Sequence, residues 1–170
     1  MSDERHVGMV RMIAPTEGQP LLGGFALTKL GGDATANAFA VVEHTLPPRM
    51  LAAPLHTHHA VDELSYVLEG EIGALIGAQE IQAGPGTLVL KPKGVPHTFW
   101  NAGATPARLL AFIVPAGLER YFAELDQLLS APGDRPDPAE ITRLAEQYEM
   151  EMDFGSIPGL LARYGLTLGR

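Results

Sequence analysis

The sequence predicts an all-β domain, a sandwich or barrel of short strands, followed by a C-terminal α-helical extension. Three observations predict it. Gly and Pro are both enriched, at 19 and 14 residues, and they fall between short apolar runs, which is the pattern of many strands joined by turns. No segment repeats at a fixed period, so solenoids and propellers are excluded. After Pro115 the apolar spacing changes to a helical one, dividing the chain into residues 1–115 and residues 116–170. With 170 residues and 46% apolar composition, the chain is long enough to bury one core and too apolar to be disordered as a whole.

The expected β-type runs are Leu22 to Leu30, Ala38 to Leu46, Leu64 to Leu68, Ile72 to Ile76, Thr87 to Leu90, Thr98 to Asn101 and Arg108 to Val114. Between them lie breakers such as Gly31-Gly32-Asp33, Pro47-Pro48, Gly70, Gly77, Gly84-Pro85-Gly86 and Pro92-Lys93-Gly94. Close spacing of this kind indicates an all-β sandwich or barrel. Beyond Pro115, Leu118, Phe122, Leu125 and Leu129 form one amphipathic stripe. A second helix starts at Asp137-Pro138-Ala139-Glu140, with Asp137 as N-cap, Pro138 at the first helical position and Glu140 completing a capping box. Ile141, Leu144, Ala145 and Tyr148 are its apolar face, and Ser130 to Pro136 is the linker before it. A third short helix runs from Pro158 to Tyr164 and stops at Gly165. Each helix alone is marginal, so their apolar faces are expected to pack on the β-domain or on a partner chain.

The formal charge is −8, from 12 Lys and Arg against 20 Asp and Glu, with no basic cluster. That offers no counterion-release energy and argues against nucleic-acid binding. Cysteine is absent, which removes disulfides, thiolate catalysis and Cys-ligated zinc, and leaves imidazole and carboxylate as transition-metal ligands. The segment Met1 to Arg11, with Asp3, Glu4, Arg5 and His6, has no apolar core of a signal peptide, and no run of about 18 apolar residues could span a bilayer. A soluble, cytoplasmic chain with no membrane partner is expected.

Four of the six histidines fall in two places. In His56-Thr57-His58 the two imidazoles are two residues apart, so on a strand they share a face. Glu63 follows His58 at an odd offset, which a straight strand would send to the other face; a break around His59-Ala60-Val61 restores convergence. Downstream, Ser65 and Val67 share the face of Glu63, while Leu64, Tyr66 and Leu68 form an apolar row on the other. His97 follows the turn Pro92-Lys93-Gly94-Val95-Pro96 and heads a new strand. Three neutral imidazoles and one carboxylate, brought together, suit a first-row divalent ion with one or two positions left open.

These residues resemble a known family. His56-x-His58-x4-Glu63-x6-Gly70 is similar to the first cupin motif, and Gly86-x5-Pro92-x-Gly94-x2-His97-x3-Asn101 matches the second at every fixed position. One departure is Met50, which stands where the first motif usually opens with glycine. The resemblance covers Phe39 to Val114 and implies a double-stranded β-helix, jelly-roll-like, often dimeric, with one divalent transition metal (Fe, Mn, Ni, Co, Cu or Zn) on His56, His58, Glu63 and His97. The complete ligand set, and the segment from Pro115 to Phe122 that leads into C-terminal helices, resemble the single-barrel group related to quercetin dioxygenase.

The resemblance implies a metal-dependent dioxygenase for an enolic or flavonol-like small molecule, with Glu63 as both ligand and proton acceptor. A redox-neutral isomerase or epimerase and a non-catalytic small-molecule binder are the alternatives. The isomerase ranks second because Arg and Lys are sparse in the β-domain, with Lys91 and Lys93 placed near a turn. Phe99 shares strand parity with His97 and is either a wall of the pocket or core packing. His44 either lines the pocket or is a hydrogen-bonded core or rim histidine. His59 is a neighbour of the ligands rather than one of them. The apolar row Leu64, Tyr66 and Leu68 needs a cover, which the N-terminal strands, the C-terminal helices or a second barrel could each provide, and a homodimer is expected.

Overall fold

The computed structural model describes residues 11–131 and 136–169. His6 with the rest of the N-terminal tail, and residues 132–135 of the linker, lie outside the described residues. The chain runs β1 (Gln19–Leu21), β2 (Ala26–Leu30), β3 (Ala40–Leu46), β4 (Met50–Leu51), β5 (Leu55–His58), β6 (Asp62–Glu69) and β7 (Ile72–Ile76). It continues through β8 (Gln79–Ala83), β9 (Leu88–Lys91), β10 (His97–Asn101) and β11 (Ala107–Val114). The remainder is α1 (Leu118–Ser130), α2 (Pro138–Gln147), β12 (Met150–Asp153), α3 (Ile157–Tyr164) and β13 (Thr167–Leu168). No helix among the described residues is long and apolar enough to cross a membrane.

Two sheets form. The first has the order β1-β2-β3-β11-β6-β9, antiparallel throughout. In the second, β10 pairs with β7 on one side and with β5 and β4 on the other, β8 extends β7, and β12 extends β5. Period-2 patterning explains the pairing: β3, β6 and β11 each alternate buried with less buried residues, so one face of each strand meets the other sheet. Leu46, Val67, Leu109 and Ala111 from the first sheet meet Ile72, Ala74 and Phe99 from the second in one core cluster.

Of the several crossings between the sheets, one runs from the second to the first between β5 and β6, and another from the first to the second between β9 and β10. These crossovers are tied to each other. The Gly94 N–H donates to the carbonyl of His58 at 2.7 Å, and the Lys93 N–H donates to Asp62 Oδ1 at 2.9 Å. Gly94 has φ +74°, a left-handed conformation that costs a residue with a Cβ. Gly73 is needed for a different reason: a Cβ there would lie 2.2 Å from the Trp100 indole nitrogen.

Several strands differ from expectation. The run from Leu22 breaks, because Leu22–Gly24 forms a tight turn with Leu22 and Gly23 at positive φ, and the strand starts only at Ala26. β8, with the polar sequence Gln-Glu-Ile-Gln-Ala, is an unexpected strand held by its ladder to β7. The C-terminal segment contributes strands as well as helices: β12 pairs antiparallel with β5, and β13 runs parallel to β4.

The helices pack against the sheets of the same chain. α2 has the full capping box, Asp137 accepting from the Ala139 N–H and Glu140 accepting from the Asp137 N–H. The buried stripe of α1 is rotated from the expected one. Leu118 and Tyr121 are buried and Phe122 and Leu125 pack beside them, whereas Leu129 is 41% exposed. Leu118, Tyr121 and Ala145 share a cluster with Val42, Ile113 and Met150. Tyr164 of α3 stacks on Trp100 with ring centroids 4.1 Å apart.

Candidate metal centre

The two crossovers place four chemical groups in one buried volume. His56 and His58 come from β5 and His97 from β10, all in the second sheet, with His97 directly opposite His56 in the ladder. Glu63 comes from β6 in the first sheet. The bend at His59 and Ala60 lets β5 and β6 belong to different sheets, so the odd offset between His58 and Glu63 no longer separates them. All four residues are at most 7% exposed. One ligand atom from each lies within 4.8 Å of the others, and the three imidazole centroids are 4.5, 4.8 and 4.9 Å apart.

The hydrogen bonds around these rings aim their free nitrogens. His56 Nδ1 lies 2.8 Å from the Pro54 carbonyl and His97 Nδ1 lies 3.0 Å from the Val95 carbonyl. A carbonyl only accepts, so each Nδ1 is the N–H and each Nε2 keeps its lone pair. Anchoring of this kind is what orients a metal-bound histidine. His97 Nε2 and His58 Nδ1 are buried with no hydrogen-bond partner, 3.7 and 3.8 Å from Glu63 Oε2. Orphaned acceptors in a dry interior are costly unless something occupies the space between them.

The electrostatics favour the protonation states that a cation needs. Burial, helped by the other imidazoles, pushes His56 well below the ordinary histidine value. Burial likewise lowers His58 to about 4, against the opposing pull of Glu63. For Glu63, burial acts to raise the pKa, but the Lys91 ammonium and the neighbouring His97 and His58 outweigh it and hold the carboxyl well below its usual range. Neutral His56 and His58 and an ionised Glu63 result. Ligands about 2.1 Å from a first-row ion lie at most about 4.2 Å apart, so drawing in by a few tenths of an ångström would let the cluster hold one ion.

The other expected residues are also placed. Phe99 is 6% exposed and lies within the core cluster, its ring 5.8 Å from that of His44. His44 is 3% exposed among Phe25, Phe99 and Phe122, and its Nδ1 has no partner. His59 turns outward, its ring half-exposed and 3.5 Å from Glu151. Asn101 is fully used by the backbone, donating to Leu46, Pro47 and Thr105 carbonyls and accepting from the Gly103 N–H, which makes it a loop clamp.

Lys91 is near a turn, as expected, but as the last residue of β9 it is buried, 1% exposed. Its ladder partner is Glu63, its Nζ is ion-paired with Glu63 Oε1, and it lies 4.5 Å from the Phe99 centroid. Alternation held the signal: with Leu88 and Leu90 outward, Val89 and Lys91 must point inward. Ser65, also inward and 1% exposed, has an unpartnered hydroxyl.

Residues 42–122, which span both crossovers and all four cluster residues, match the family described as Cupin domain. This stretch is a cupin domain. A Thermus thermophilus protein of known structure is 32% identical over 46% of this chain and 74% of its own, with a TM-score of 0.44. The polyketide cyclase RemF from Streptomyces resistomycificus is 22% identical over 62% of this chain and 80% of its own, with a TM-score of 0.54, and shares the cupin fold. A sugar phosphate isomerase from Silicibacter pomeroyi is 25% identical over 56% of this chain and 66% of its own, with a TM-score of 0.46. No curated protein matches the chain.

Proposed function

We propose that this cupin is a metal-dependent enzyme, a dioxygenase acting on a small enolic or flavonol-like molecule. The observation that carries this reading is the buried cluster of His56, His58, Glu63 and His97, in which His58 Nδ1 and His97 Nε2 are left without a hydrogen-bond partner. A bound divalent ion would supply Lewis acidity toward a hydroxyl or enol oxygen and, if redox-active, access to dioxygen. The residues supply the rest. Glu63, kept ionised by Lys91, is the base that takes the enol proton. Phe99 and His44 are the substrate-facing wall. Leu118, Tyr121 and Phe122 of α1 cover that side of the interior and exclude water.

The test is turnover of enolic compounds by metal-reconstituted protein, with and without oxygen. Oxygen-dependent loss of substrate supports the reading, and oxygen-independent conversion overturns it in favour of a redox-neutral isomerase or epimerase. One observation favours that second reading. The Lys91–Glu63 pair sets an acid beside a base within the interior, removing the sparse-cation argument that had placed this chemistry second.

We also propose that two copies pair through the outer face of the first sheet. Leu88 and Leu90 on the edge strand β9 are 57% and 52% exposed, and Tyr66, opposite Leu88, is 39% exposed. An apolar edge strand left uncovered invites aggregation. Sedimentation at micromolar concentration should give twice the chain mass of 18.1 kDa, and a pure monomer would refute the pairing.

A further inference from the structure

The interior of this cupin holds a second constellation that the four cluster residues do not use. The Lys91 ammonium has three N–H donors, and among the described residues Glu63 Oε1 is its one recorded acceptor. Lys91 and His44 flank the Phe99 ring, with Nζ 4.5 Å from its centroid and the imidazole 5.8 Å away. Ser65 shares the inward face of the first sheet with both, one alternation along from Glu63 on β6. The Ser65 hydroxyl and His44 Nδ1 are buried and unpartnered. A cation, a hydroxyl and an imidazole thus lie beside the cluster with hydrogen-bonding capacity to spare, in a volume where unmet capacity is costly.

Charge gives the constellation a direction. Glu63 and Lys91 cancel, so a divalent ion brought to the cluster leaves its whole double charge uncompensated in the interior. Without Lys91 a single charge would remain. Uncompensated buried charge is strongly disfavoured, so a loaded centre of this composition calls for an anion.

We propose that Lys91, Ser65 and His44 form an anion subsite, and that the substrate is an organic anion, a carboxylate or enolate, whose charged oxygen faces Lys91 Nζ. This rests on the metal-dependent reading above and narrows it to a substrate class. Lys91 is the residue that selects charge, while Ser65 and His44 serve as hydrogen-bonding partners for the same group.

The experiment uses the full chain loaded with Co2+, with glycolate and its uncharged counterpart glycolamide as probes. Calorimetry gives affinity, and the Co2+ visible absorption reports whether the probe perturbs the centre. Glycolate should bind the wild type at least tenfold more tightly than glycolamide. Lys91→Met should lose that preference while still binding Co2+, the ion then taking over from Lys91 in keeping Glu63 ionised. Lys91→Arg should restore part of the preference. Ser65→Ala, a smaller change that tests the subsite should Lys91→Met fail to fold, should weaken glycolate severalfold at unchanged Co2+ affinity. If the wild type takes up no Co2+, the metal reading fails and the subsite falls with it. If Co2+ binds but glycolate and glycolamide bind alike, or if Lys91→Met or Ser65→Ala binds glycolate as the wild type does, the subsite alone is overturned.

Discussion

At Glu63 the two carboxylate oxygens face different partners, Oε1 toward Lys91 and Oε2 toward His58 and His97. Glu63→Gln keeps the shape and removes the charge. Metal affinity should then fall by about 100-fold or more, read by calorimetry. Stability without metal should fall by about 3–5 kcal/mol, because Lys91 is left as an unpaired buried cation. The double variant with Lys91→Met should cost less than Glu63→Gln alone, a coupling that urea denaturation measures. His44 makes a separate prediction. Burial among Phe25, Phe99 and Phe122, aided by Lys91 and opposed by Glu63, lowers its pKa to about 4. Its contribution is therefore fully present above the unfolded value of 6.5 and is lost as pH falls toward 4, since the unfolded chain takes up a proton that the folded chain refuses. In His44→Phe the slope of stability against pH across that window should shrink by about 1.4 kcal/mol per pH unit. An unchanged slope would show that His44 charges freely in the folded protein.

The elements are held by devices of different strength. The capping box of α2 satisfies two backbone N–H groups at the protein surface. Asp137→Ala should cost about 1 kcal/mol and leave metal binding unchanged, because its capping bonds are exposed whereas the four cluster residues are buried. Leu160 of α3 is 8% exposed and packs with Leu51, Trp100 and Leu166. Leu160→Ala should cost about 2–5 kcal/mol and loosen β13 from β4, which hydrogen exchange of the amides of Thr167 and Gly169 would show. The larger loss belongs to the core contact because a cavity has no substitute, whereas water can replace an exposed cap.

For the whole molecule, an ion held by the cluster would couple metal binding to folding. Both sheets contribute to it, so an ion bound there joins them. At a free concentration of 100 times Kd, the ion should add about 2.7 kcal/mol of stability, visible as a melting temperature several degrees higher and abolished by chelator. The proposed pairing of copies belongs to the same scale. Replacing Leu88 and Leu90 together by Glu should give a monomer in sedimentation without altering metal affinity, since both side chains point away from the interior.

The four-residue cluster was legible in the sequence because spacing is a local property. The spacing of His56 and His58 on either side of Thr57, and the Pro-Gly turn ahead of His97, are enough to orient those side chains. The capping box at Asp137 was legible for the same reason. Lys91 was not, because the last residue of a strand before a turn reads equally as strand or turn until its ladder partner is known, and that partner, Glu63, lies 28 positions away. β12 and β13 were hidden likewise: each is short, and each becomes a strand only by meeting β5 or β4. Local chemistry thus determined which groups this cupin presents. Only the closure of two sheets decided that a lysine, a serine and a fourth histidine stand beside them, because pairing across long stretches of chain is stabilised by tertiary burial and leaves little trace in any one segment.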